Sequence, residues 1–147
     1  MKLYLAAGFT RQYEIKQIAY KLRHAGIEIV STWHDNEESD IDTANFARFA
    51  ERDFEELDQA AGLVLFNGPT TGGGRHVELG FVLAWNWMIP PGAGKYQRGN
   101  EHSTAYDIYI VGPLENVFQY MEAMNIQQFS STENFIEAVT QQFARTN

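Results

Sequence analysis

A glycine-rich segment fills residues 70–80 of the chain, Thr70-Thr71-Gly72-Gly73-Gly74-Arg75-His76-Val77-Glu78-Leu79-Gly80. It connects an apolar run, residues 63–66, to a run of helical character, residues 81–85. This pattern predicts a strand, a glycine-rich turn and a helix. In open α/β folds such turns lie at the carboxyl ends of strands, where ligands bind. Because glycines let a ligand approach the backbone closely, we predict substrate contacts for Gly73 and Gly74.

Glu78 is the one acidic residue of this segment. We expect it in the first turns of the helix, where the helix dipole favours a charged carboxylate. A charged acid beside a glycine-rich turn is a candidate nucleophile. The alternative is an acid that only caps the helix start. The segment contains no Gly-Lys-Ser/Thr of a P-loop, and no G-x-G-x-x-G follows the first strand, so both standard nucleotide-binding motifs are missing from the sequence.

Length, net charge and cysteine content exclude several classes of partner and site. The chain has 147 residues, which fits a single domain with a substantial core. Its net charge of −8 argues against a nucleic-acid polymer as partner. It has no cysteine, hence no disulfide or thiolate zinc site, and this usage fits the cytoplasm that we predict. We expect no signal peptide, no membrane span, no cofactor and, because the four histidines are scattered, no metal.

Strand and helix patterns alternate along the chain. Apolar runs predict strands at 2–7, 27–30, 63–66 and 108–112 and a short fifth strand that ends at Phe129. Helical spacing predicts helices at 11–25, 43–60, 74–87 and 114–121, and a last helix that begins with a capping box from Ser130 to Glu133. Gly26 is placed to end the first helix. The Pro/Gly-rich residues 90–104 predict a surface loop.

This alternation predicts an α/β fold. We expect one flavodoxin-like or Rossmann-like domain with a parallel sheet of four to five strands, flanked by helices. The aromatic face of the second helix (Phe46, Phe49 and Phe54) is interpreted as core. An apolar cluster on the third helix is a candidate oligomer interface; it consists of Phe81, Trp85, Trp87 and Met88.

Four segments together resemble the nucleoside 2-deoxyribosyltransferase family and its hydrolase relatives that act on deoxynucleoside 5′-monophosphates. They are residues 4–9, 51–57, 73–80 and 111–118, and the third is the most specific. The resemblance covers most of the chain and implies that residues 1–147 form one domain of this kind. It implies a homo-oligomer whose substrates are 2′-deoxynucleosides and free nucleobases. It also implies active sites near a subunit interface.

The resemblance implies a role for each matching residue. Glu78 would attack C1′ of the deoxyribose, so that a covalent deoxyribosyl-enzyme forms and a second base then takes the sugar. Asp53 would contact the base and assist its protonation, and Tyr4 would orient the nucleophile. Phe9, after Gly8 at the end of the first strand, would line the base pocket. This scheme fits the chemistry, because cleavage builds positive charge at C1′ and negative charge on the leaving base.

Other candidate contacts are less specific. Trp33 lies in the loop after the second strand, where it either stacks on the base or packs in the core. Asn116 is either a substrate contact, in the family supplied by the neighbouring protomer, or a polar residue at a helix start. Arg75 and His76 flank the nucleophile and either bind substrate or are solvated.

Departures from the family pattern leave the reaction open. Transferases often carry an aspartate, and monophosphate hydrolases a serine, at the position of Gly72. A 5′-monophosphate N-glycosidase is therefore the nearest alternative, with Arg11, Arg75, Thr70 and Thr71 as candidate phosphate contacts. A non-catalytic nucleotide-binding module with the same fold is the second alternative.

Overall fold

A computed structural model describes residues 1–36, 43–69, 73–89, 96–98, 101–103, 105–124 and 126–146. A five-stranded sheet forms its centre. The strands are β1 (Lys2–Ala6), β2 (Glu28–Ile29), β3 (Gly62–Phe66), β6 (Asp107–Val111) and β7 (Ile126–Phe129). A separate two-stranded hairpin pairs β4 (Tyr96–Arg98) with β5 (Glu101–Ser103). The predicted α/β fold with a parallel sheet of four to five strands is confirmed.

The five strands are all parallel and follow the order β2-β1-β3-β6-β7. Leu5 of β1 pairs with Val64 of β3, and Val64 pairs in turn with Tyr109 of β6. The chain leaves β1 toward one edge of the sheet and leaves β3 toward the other edge. A crevice therefore opens between the carboxyl ends of β1 and β3, which is where ligands bind in this class of fold.

Four helices cover the sheet: α1 (Gln12–His24), α2 (Phe46–Gln59), α3 (Gly74–Met88) and α4 (Thr132–Thr146). The end of α1 meets α4 at Phe143, and α2 contacts α3 through Phe54 and Phe81. Gly26 ends α1 as predicted. Its φ is +84°, and the N–H groups of Gly26 and Ile27 donate to carbonyls of the last turn, which is a Schellman motif. None of the helices in the described ranges is long and apolar enough to span a membrane.

The hydrophobic core lies on both sides of β1, β3 and β6. These strands are apolar along almost their whole length because both faces of a parallel sheet are covered. Gly62 begins the central strand, where a Cβ atom would lie 3.1 Å from the Asp107 carbonyl oxygen. Because Gly62 has no Cβ atom, β3 and β6 can pair from their first residues, Gly62 and Asp107.

The segment after β6 differs from the predicted helix at 114–121. It forms two single turns of 3-10 helix, Val117–Tyr120 and Glu122–Met124. The reason is the buried side chain of Gln119, whose Oε1 accepts hydrogen bonds from the Glu115 N–H and from the Asn67 amide. The start of α4 was also predicted wrongly by one residue. Ser131 caps this helix, because its hydroxyl accepts from the N–H of Asn134.

Two further predictions were wrong. The aromatic face of α2 is not core, since Phe46 and Phe54 are 52% and 38% exposed, and the buried residues of this helix are Glu56 and Leu57. Phe49 instead stacks against the guanidinium of Arg52. Within 90–104, residues 96–98 and 101–103 form the hairpin where a loop was expected. The other residues of that segment lie outside the described ranges.

Candidate active site

Tyr4 and Glu78 meet at the carboxyl end of the sheet. The hydroxyl of Tyr4 donates a hydrogen bond of 2.8 Å to Oε1 of Glu78. Tyr4 is fully buried on β1, and Glu78 lies on α3, which follows β3. The pairing of β1 with β3 brings these two residues together, although 74 positions separate them in sequence. Tyr4 is therefore a buried residue of the central sheet that also contacts Glu78.

The protonation of Glu78 differs from the sequence-based expectation. The first turn of α3 consists of residues 74–77, so Glu78 begins the second turn, where the helix dipole acts more weakly. Burial raises the pKa of Glu78, the Tyr4 hydrogen bond lowers it, and the nearby Asp53 carboxyl raises it; the net result is a pKa of about 7. Near pH 7 the Glu78 side chain is therefore protonated in part of the molecules and ionised in the others.

Asp53 reaches the same site from α2. Burial raises its pKa, while the adjacent Arg52 lowers it, with Nη2 of Arg52 lying 3.3 Å from an Asp53 carboxylate oxygen. Arg52 also donates to the side chain of Asn36 and lies 3.7 Å from a carboxylate oxygen of Glu56. This network orients Asp53. Two carboxyl groups in different environments therefore face one site, an arrangement typical of enzymes that divide acid and nucleophile roles.

A cavity of about 210 Å³ joins these groups. Its lining brings together most of the predicted site residues: Gly8, Phe9, Trp33, Asp53, Gly74 and Glu78, together with Ala7 and Arg75. The Trp33 indole N–H donates to the carbonyl of Leu5. The ring therefore both packs in the core and lines the cavity. The ring of Phe9 lies 6.4 Å from that of Trp33. The two rings are tilted by 48° and pack against each other, so they form one aromatic surface on which a planar base can stack.

A second cavity of about 220 Å³ shares Asp53, Gly74 and Glu78 with the first. Its remaining lining residues are Ala50, Phe54 and Val77. Sequence reasoning missed them as site residues, since it interpreted the α2 aromatics as core. A Cβ atom at Gly74 would meet nothing within 4 Å, so the backbone here faces open space. Taken together, the two cavities fall within the size range of small-molecule sites, roughly 300–1,000 Å³.

Gly73 and Asn116 are not among the lining residues of these cavities. Gly73 is the residue before α3 and is exposed. The Oδ1 of Asn116 accepts from the Phe118 N–H, so its amide nitrogen faces Nδ1 of His76 at 3.5 Å. Within this chain Asn116 thus caps a 3-10 turn. A contact with the substrate of a neighbouring subunit stays a prediction.

The two arginines considered for phosphate binding, Arg11 and Arg75, each form an ion pair with a glutamate of this chain. Arg75 is buried and donates to Glu115 at 2.9 Å. Arg11 makes a two-pronged contact with Glu14, at 2.8 and 2.6 Å, and also donates to the carbonyl of Asn67. The two threonines considered with them, at positions 70 and 71, lie outside the described residues.

A larger and more apolar groove of about 660 Å³ runs along α3, away from the two carboxyl groups. Its lining includes Leu79, Leu83, Trp87, Met88, Phe118 and Met121. Trp87 and Met88 are 68% and 64% exposed, whereas Phe81 and Trp85 are partly buried against the core. That this surface joins subunits stays a prediction. In the part of the chain that the structure describes, no three acidic or histidine side chains are grouped to hold a metal ion.

Comparison with known proteins gives matches of fold. The solved structure of the CMP N-glycosidase BcmB of Clostridium botulinum superposes on this chain with a TM-score of 0.57 and 12% sequence identity. The match covers 96% of this chain and 99% of that chain. A 2-deoxyribosyltransferase from Bacillus psychrosaccharolyticus is 16% identical, with a TM-score of 0.59, over 95% of this chain and 96% of that chain. No family model and no curated protein matches the sequence. The chain therefore has the flavodoxin-like α/β fold of a CMP N-glycosidase and a 2-deoxyribosyltransferase.

Proposed function

We propose that this chain is a nucleoside 2′-deoxyribosyltransferase. It cleaves the N-glycosidic bond of 2′-deoxynucleosides through a covalent intermediate on Glu78 and transfers the sugar to another nucleobase. One observation carries the proposal: Tyr4 donates a hydrogen bond to Glu78, and Asp53 faces Glu78 across the same cavity. The motifs shared with the nucleoside 2-deoxyribosyltransferase family and the fold of the two solved enzymes support it.

In the first step the Glu78 carboxylate attacks C1′, and the bond from C1′ to the base nitrogen breaks. The electron pair of that bond leaves with the base, and the protonated Asp53 carboxyl donates a proton to it. Burial raises the pKa of Asp53, which favours the protonated form that a general acid needs. The product of this half-reaction is a deoxyribosyl ester on Glu78.

In the second step a different base enters the cavity and its ring nitrogen attacks C1′. The ester bond breaks, Glu78 returns to a carboxylate, and Asp53 takes the proton that the incoming base loses. Phe9 and Trp33 hold both bases in turn, because they line the cavity beside Asp53. Tyr4 orients the nucleophile through its hydrogen bond in both steps.

Product analysis tests the function directly. The protein is incubated with 2′-deoxyinosine, with and without free adenine, and the products are separated by chromatography. We expect 2′-deoxyadenosine and hypoxanthine when adenine is present. Hypoxanthine without 2′-deoxyadenosine would identify a hydrolase. Absence of both products, also with the 5′-monophosphate, would favour a nucleotide-binding module and contradict the proposal.

Replacement of Tyr4 by phenylalanine should move the pH dependence of the reaction. The nucleophile must be a carboxylate, so kcat/KM should rise with pH through the Glu78 pKa of about 7. Tyr4→Phe removes a hydrogen bond that lowers this pKa, so the rising limb should shift to higher pH. At pH 7 we expect a loss of roughly tenfold, as for one hydrogen bond to a charged group. The measurement is a pH profile of kcat/KM.

Tyr109→Phe is the matched control for that profile. Tyr109 is also a buried tyrosine of the central sheet, but it packs against Phe129 and Phe135, whereas Tyr4 donates to Glu78. Its profile should follow that of the parent protein. A Tyr4→Phe profile that also follows the parent would remove Tyr4 from the mechanism.

A further inference from the structure

Three donors surround the carboxylate of Glu115 at the end of the central strand. The backbone N–H of Gly68 donates at 2.9 Å, Nη2 of Arg75 donates at 2.9 Å, and Nε2 of His76 lies 3.6 Å away. Gly68 has a φ of +144°, a backbone conformation that L side chains rarely adopt. The backbone N–H of Gly68 binds one carboxylate oxygen, and the guanidinium of Arg75 and the imidazole of His76 lie at the other, so that together they form a site for an anion.

Glu115 is fixed in this position by its own neighbours. Its backbone N–H donates to Oε1 of Gln119, which also accepts from the amide of Asn67. Asn67 follows β3 directly and donates to the carbonyl of Pro113 as well. The Glu115 side chain is only 24% exposed. The hydrogen bonds from Arg75 and Gly68 outweigh its burial and lower the pKa of Glu115, so it is ionised at neutral pH.

This anion site adjoins the cavity of the proposed reaction. Arg75 lines that cavity and lies three residues before Glu78 on α3. Three residues correspond to a rise of about 4.5 Å along a helix. A sugar whose C1′ contacts Glu78 therefore brings its other substituents within reach of Arg75.

We propose that Glu115 determines the substrate class: its carboxylate occupies the anion site formed by Gly68, Arg75 and His76, so that the cavity accepts deoxynucleosides with an uncharged 5′-hydroxyl and rejects 5′-monophosphates. This inference rests on the proposed function. A phosphate that reached Arg75 would meet a carboxylate already bound there and would be repelled by it. The second candidate cation, Arg11, is likewise neutralised by Glu14.

Glu115→Gln tests this role, because glutamine keeps the shape of the side chain and removes its charge. We compare kcat/KM for 2′-deoxyinosine 5′-monophosphate with kcat/KM for 2′-deoxyinosine. The ratio should rise roughly ten- to hundredfold, as expected when a charge-assisted hydrogen bond to phosphate becomes available. Glu115→Asp keeps the charge and should keep a ratio close to that of the parent protein.

Glu28→Gln is the control for the general loss of one negative charge. Glu28 pairs with Lys2 at 3.5 Å at the amino ends of β1 and β2, whereas the candidate site lies at the carboxyl ends of the strands. In the Glu28→Gln protein, the ratio of kcat/KM for the 5′-monophosphate to kcat/KM for the nucleoside should stay unchanged. An unchanged ratio in folded Glu115→Gln protein, or an equal rise in Glu28→Gln protein, would overturn the proposal.

Calorimetric binding separates this inference from the proposed function. If the parent protein turns over neither substrate, the proposed function fails. Titration with 2′-deoxyinosine 5′-monophosphate then decides the role of Glu115. Affinity at least roughly tenfold higher in the Glu115→Gln protein would support the role of Glu115, and equal affinity would overturn it.

Discussion

Replacing Glu78 with alanine should abolish deoxyribosyl transfer, with a loss of turnover on the order of ten-thousandfold or more. The variant retains the cavity and Asp53 but has no oxygen that can bond to C1′. Turnover of 2′-deoxyinosine with adenine measures the effect. A trapped adduct gives independent evidence: mass spectrometry of the parent protein with 2′-deoxyinosine alone should detect a deoxyribosyl ester, and the variant should show none. Retained turnover would disprove the assignment of Glu78 as nucleophile.

Glu78→Gln shows whether such a loss comes from chemistry or from unfolding. The pKa of Glu78 is raised from 4.5 to about 7 in the folded chain. Between these two pH values the folded protein holds a proton that the unfolded chain releases, so the free energy of unfolding falls as pH rises. Glutamine removes this dependence. At pH 8 the variant should be more stable than the parent, by on the order of 3 kcal/mol, and at pH 4 the difference should vanish.

Replacement of Asp53 by asparagine should slow the reaction in a way that depends on the leaving base. Hypoxanthine needs a proton as it departs, and without a general acid we expect a loss of roughly a hundred- to ten-thousandfold. A base methylated at N7 already carries a positive charge in the nucleoside and leaves without protonation. The loss with 7-methyl-2′-deoxyguanosine should therefore be much smaller. Rate measurements with these two substrates test the assignment.

Asp58→Asn is the matched control for that comparison. Asp58 lies on the same helix, is exposed, and does not line either cavity at Glu78. Both rates should match those of the parent protein. If Asp53→Asn slowed the two substrates equally, Asp53 would position the substrate and would not protonate the base.

Local patterns predicted the parts of this molecule that local interactions determine. Gly26 ends α1 because the last turn of a helix needs a residue with positive φ, and this requirement is visible in the sequence. The parallel sheet follows from apolar runs that alternate with helices. The resemblance to the nucleoside 2-deoxyribosyltransferase family assigned Glu78 and Asp53 to one site, and the structure brings both to one cavity.

Contacts between distant segments could not be predicted in this way. The sequence pattern of Phe46 and Phe54 marks an apolar face but does not tell which surface covers it. The pKa of Glu78 depends on burial by the folded chain, which outweighs the helix dipole that sequence position suggested. Gln119 reorganises the segment after β6 through a hydrogen bond to Asn67, 52 positions away.

The hydrogen bond from Tyr4 to Glu78 also ties the candidate site to the completion of the sheet. It joins residues 74 positions apart and requires β1 and β3, the middle of the sheet, to be paired. Such non-local parallel pairing forms slowly, because the loop entropy is lost before the contacts are gained. A chain in which α3 has formed but β1 and β3 are not yet paired lacks the hydrogen bond from Tyr4 to Glu78. The contact between Tyr4 and Glu78 therefore exists only when the centre of the sheet is complete.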